Sequence, residues 1–110
     1  MNKKTIVFII GIIFIFIIIV SKIVEYNIEE EVKNYLINDK HININNIAYL
    51  KAEIGKAPLL AVEVRFTDEP GMRYFYRREH GQIVQFNTAP PIGSDVNGNY
   101  TYKHKEHSDE

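Results

Sequence analysis

The chain of 110 residues has no cysteine. That absence removes a disulfide framework and lipoprotein processing, which needs a cysteine to carry the lipid, and it leaves serines and threonines as the candidate nucleophiles. Net charge is also nearly missing: 13 Lys and Arg stand against 14 Asp and Glu, so no global field draws the chain toward nucleic acid. There is no phosphate-binding loop, no glycine-rich dinucleotide turn and no internal repeat longer than a strand. Ser21 lies in an apolar segment, Ser94 and Ser108 lie in the polar carboxy-terminal stretch, and none has a histidine in a motif that would arm it. These gaps point away from an enzyme and away from a bound cofactor.

What is present is strongly segregated. Ile6 to Val20 reads IVFIIGIIFIFIIIV, an apolar run that no soluble core of this size requires. Extended from Thr5 to Val24, it reaches about 30 Å as a helix, the thickness of a bilayer core. Ser21 can satisfy its hydroxyl within the helix, and Lys22 can snorkel to the interface. The alternative is a signal peptide cleaved near Ser21, releasing a small secreted protein. Bulky Ile19 two positions earlier makes a poor cleavage site, so an uncleaved anchor is favoured.

Lys3, Lys4 and the amino terminus precede the span, and acidic residues follow it at Glu25, Glu29, Glu30 and Glu31. The positive-inside bias sets residues 1–4 as a cytoplasmic stub and the rest of the chain outside a cell membrane. The absence of disulfides in such an exterior portion leans toward a bacterial surface.

Beyond the span, Val24, Ile28, Val32, Tyr35 and Leu36 draw one apolar stripe on an amphipathic helix. No Pro or Gly separates it from the span, so it can run on continuously until the Asn- and His-rich stretch near Lys40 stops it. From Ile47 the period falls to two. AYLKAEI, LLAVEVRF, RYFYRR and QIVQFN read as four strands, with turns at GKAP, DEPG and EHG. The expected fold is α+β: a transmembrane helix over 5–24, then a domain over 25–87 in which a four-stranded antiparallel meander packs on the amphipathic helix, then a loose tail over 88–110. A three-residue EHG loop pairs Tyr76 with Val84 and Tyr74 with Phe86, and the preceding hairpin pairs Phe66 with Tyr74, Val64 with Tyr76 and Glu63 with Arg77.

The short span, the acidic juxtamembrane helix, VEVRFTDEPGMRYFY and HGQIVQ together resemble the domain of unknown function 3139 family of small Gram-positive bacterial proteins. The likeness runs from Lys3 to Phe86 and is most specific over Val62 to Tyr76, Gly81 and Gln85. It implies a single-pass, envelope-exposed protein of unassigned activity, and no catalytic residues carry over from it.

Among chemistry-bearing residues, RYFYRREHG mixes aromatics with arginines as RNA-stacking sheets do, but alternation leaves only Phe75 beside Arg73 and Arg77 on the face away from the helix. Nucleic acid is therefore not expected as a partner. Asp68 and Glu69 are turn neighbours that diverge into solvent and do not face a common substrate. His41 and His80 read as turn residues. His104 and His107, three apart, make at most an adventitious metal pair, so no dedicated metal site is expected. What remains is interaction. The reverse sheet face carries Leu59, Ala61, Glu63, Arg65, Arg73, Phe75, Arg77, Ile83 and Gln85, and its candidate binding surface is Arg65, Arg73, Phe75, Arg77 and Ile83, fit for an envelope protein or peptide. The edge strands 47–54 and 82–87 could also accept a partner's strand.

Overall fold

The computed structural model describes residues 1–55, 58–95 and 97–106. Helix α1 runs unbroken over Lys3–Asn34, opened by Asn2, whose side chain accepts from the Thr5 amide at 2.8 Å. It is long and apolar enough to cross a membrane, a property that a signal sequence near an amino terminus also has. The Ser21 hydroxyl donates to the Ile17 carbonyl at 2.9 Å, so the one serine hydroxyl in the apolar stretch is satisfied inside the helix. The span and the amphipathic stripe are thus one rod. A wider turn over Tyr35–Asp39 ends it, with the Lys40 amide reaching back to the Tyr35 carbonyl at 3.2 Å. His41 then reverses the chain at φ 57°.

Four strands follow: β1 (Ile47–Ile54), β2 (Leu60–Phe66), β3 (Arg73–Glu79) and β4 (Gln82–Ala89). They pair antiparallel in chain order, the meander that the alternation predicts. Ile28, Val32 and Leu36 of the helical segment bury against Ala52, Val62, Val64, Phe66, Tyr74 and Tyr76, so the stripe packs on even positions of β1 to β3, while Ala48 and Ile54 near the two ends of β1 stay exposed. Glu29 of α1 takes the Ala52 amide at 2.8 Å, which occupies part of the outer edge of β1.

Two registers differ from expectation. Val64 stands opposite Tyr74 and Val62 opposite Tyr76, a slip of two residues that keeps every side chain on its expected face. The β2–β3 connection is thus two residues tighter than expected, and Asn46 holds its start, taking the Thr67 amide with its carbonyl at 2.8 Å and the Asp68 amide with its side chain at 3.1 Å.

The β3–β4 hairpin departs further. Glu79 pairs with Gln82, so the turn has two residues, His80 and Gly81, both at positive φ (52° and 77°) as a type I′ turn requires. Arg78 therefore faces Ile83 and Arg77 faces Val84. The shift by one turns Ile83 and Gln85 to the helix side: Ile83 is 8% exposed, and the Gln85 side chain donates to the Tyr76 hydroxyl at 3.0 Å. A bulge between Phe75 and Tyr76 on the β3 count, with Phe86 as the extra residue of β4, then restores the phase.

After Ala89 no helix or strand forms among the described residues, in keeping with the prolines and missing periodicity. Residues 102–106 are nonetheless packed and not loose. The His104 ring lies 4.0 Å from that of Phe66, Tyr102 meets Tyr74 edge-on at 6.0 Å, and the Tyr35 hydroxyl donates to Glu106 at 2.5 Å. The strap covers the part of the core that α1 leaves open.

Candidate interaction surface

The face of the sheet opposite α1 is covered by no helix or strand among the described residues. Its residues come from the odd positions of β1, β2 and β3 and, because of the two-residue turn, from Val84 and Phe86 of β4. Tyr49 stands opposite Arg65 in the ladder, and the Arg65 guanidinium lies over the Tyr49 ring, 4.4 Å from its centroid. The same arginine donates from Nε to Glu63 at 2.6 Å. Glu63 in turn stands opposite Phe75.

Phe75 and Phe86 form the apolar centre, with centroids 6.3 Å apart and planes tilted by 52°. Arg77 lies over the Phe86 ring at 5.1 Å and pairs with Glu79 at 2.9 Å. At the other end Arg73 donates from Nε to the Pro90 carbonyl at 2.9 Å. The structure therefore brings together four of the five expected residues, Arg65, Arg73, Phe75 and Arg77. Ile83 is removed from the set, because the two-residue turn buries it on the α1 side of the sheet.

Electrostatically the strip is balanced. Each of Arg65 and Arg77 has a carboxylate at hand and an aromatic ring beneath it, so the guanidinium planes are held in place and their charge is partly neutralised. Pre-set arginine and aromatic groups of this kind suit the centre of a protein interface, where little side-chain entropy remains to be lost on binding. The rings are partly covered by arginines of the same chain, which leaves less open π-surface for a base.

The acids and histidines resolve differently. Asp68 and Glu69 do not diverge into solvent as expected: both turn to the strap at Lys103 and His104. Asp68 meets His104 at 2.9 Å and Lys103 at 3.0 Å, while Glu69 accepts from the Tyr74 hydroxyl and from the Lys103 amide at 2.8 Å. The His104 hydrogen bond holds the Asp68 carboxyl down to about 2. Burial is the main force pushing the hydroxyls of Tyr35, Tyr74 and Tyr76 well above the usual phenol range. His104 is thereby committed to the strap, and His107 lies outside the described residues. His41 and His80 occupy turns at positive φ, as expected.

Two residues outside the expected set, Tyr49 and Phe86, also contribute to this face. Tyr49 is legible from its odd position beside Lys51 in β1. Phe86 is not, since it reaches this face only through the phase that the two-residue turn sets. No protein-family model, curated protein or solved structure matches the chain.

Proposed function

We propose that this is a non-catalytic, single-pass envelope protein of the kind the domain of unknown function 3139 resemblance implies, with its amino terminus in the cytoplasm and its sheet outside the cell membrane. Its task is to bind or modulate a neighbouring membrane or wall-associated protein. The observation that carries this reading is the open sheet face on which Phe75, Phe86 and Tyr49 are flanked by oriented arginines. The anchor is supported by the apolar length of α1 and by its continuity into the packed domain, since cleavage near Ser21 would sever the helix beside its buried stripe. Intact mass of the protein from its host separates the alternatives: retention of residues 1–21 excludes the secreted form.

A photoreactive residue at Phe75 in living cells tests the binding function. The expected result is a discrete protein adduct that Arg77→Glu abolishes. Capture of lipid and solvent alone overturns the interaction reading.

A further inference from the structure

Ser21, Glu25, Ile28 and Val32 share one face of α1. Ile28 and Val32 are buried, and Ser21 and Glu25 are still half-buried, with 20% exposure of the Glu25 side chain. Their neighbours Lys22, Ile23, Val24 and Tyr26 are exposed. The strands packed most closely on α1 are β1 and β2, and with Ser21 and Glu25 half-buried the footprint of the sheet reaches back to the apolar stretch 5–24.

The direction of β1 explains how. The Ile42 amide bonds the Leu36 carbonyl at 2.9 Å just before β1, and the Ala52 amide bonds Glu29 at 2.8 Å near its end. β1 therefore travels back down the helix toward the apolar stretch. Ile54 lies about 7 Å beyond Ala52 at strand rise, and the same distance along a helix, at about 1.5 Å per residue, leads from Glu29 to the level of Glu25. At this end Ile54 is 50% and Leu59 70% exposed, and the Gly55 amide ties the connection by bonding the Leu59 carbonyl at 2.8 Å. Tyr26, 61% exposed, and Lys22 are residue types that settle at the headgroup level of a bilayer.

We propose that the β1–β2 end of the sheet rests on the membrane that α1 spans, with Ile54 and Leu59 immersed at the boundary between headgroups and acyl chains. The inference rests on the anchor reading. Lipid is the occupant because the two side chains lie at the level where the apolar stretch of the helix ends, continuous with the surface already given to lipid. The domain is then a foot standing on the bilayer and not a module held above it.

The chain contains no tryptophan, so single reporters can be placed one at a time. Full-length Leu59→Trp, Phe75→Trp and Phe14→Trp proteins are reconstituted in nanodiscs of phosphatidylcholine and phosphatidylglycerol carrying lipids brominated near the glycerol or near the chain ends. Shallow bromines should quench Leu59→Trp at least about twofold more than Phe75→Trp, in keeping with interfacial depth, and deep bromines should quench Phe14→Trp. Quenching of Phe14→Trp with Leu59→Trp no different from Phe75→Trp overturns the foot and leaves the anchor standing. An unquenched Phe14→Trp overturns both. Shielding of Leu59→Trp from iodide without bromine quenching marks contact with protein and also overturns the inference.

Discussion

Asp68 and His104 are 36 positions apart in the chain, yet their 2.9 Å contact fastens the strap to the β2–β3 turn. Asp68 has a lowered carboxyl in the folded protein, so its contribution to stability is complete above the ordinary carboxylate range and is lost as pH falls through about 2. Its side chain is partly exposed, which limits that contribution to under about 1 kcal/mol. Thermal unfolding should accordingly show Asp68→Asn melting below the parent at pH 6, with the gap closing by pH 2. Tyr74 has a heavier role: its hydroxyl accepts from the His104 amide at 3.0 Å while donating to Glu69. Tyr74→Phe should cost about 1–2 kcal/mol, because it leaves a part-buried amide without its acceptor, and denaturant melts would reveal it as a lower midpoint at unchanged slope.

Among the elements, the β3–β4 hairpin decides the composition of the open face. Gly81 sits at φ 77° with open space where a Cβ would stand, so Gly81→Ala meets only the left-handed backbone penalty of about 1–2 kcal/mol. Its stability should fall by that amount in denaturant melts, and cross-strand NMR contacts between Arg77 and Val84 should persist. The strands themselves and the parity of the first three were legible, because the charges at Glu63, Arg65, Arg73 and Arg77 all fall on one phase of LAVEVRF and RYFYR. Alternation specifies parity and not the length of a loop, which is why the two-residue slip at Val64 and Tyr74 stayed hidden. In QIVQF both phases contain at least one apolar residue, so nothing in β4 itself announces that Ile83 faces inward. Arg65, Arg73, Phe75 and Arg77 lie on the sheet face that alternation gives them, and Ile83 leaves it because of the two-residue turn at His80 and Gly81.

At the scale of the whole molecule, the sheet needs two covers, α1 and the strap. Tyr102, His104 and Glu106 meet residues far away in sequence, and no local pattern among prolines and asparagines reveals such contacts. Removing everything after Thr101 should uncover Phe66 and Tyr74, raise binding of a hydrophobic dye and lower the melting temperature. Unchanged dye binding would mean the strap contributes little to the fold. The uninterrupted helix has a further consequence. With no hinge between Ile17 and Val32, the compass bearing of the Phe75 strip around the axis of the apolar stretch is dictated by residue count alone. One residue inserted after Val24 would swing that bearing by about 100°, whereas seven would bring it nearly back to its starting azimuth.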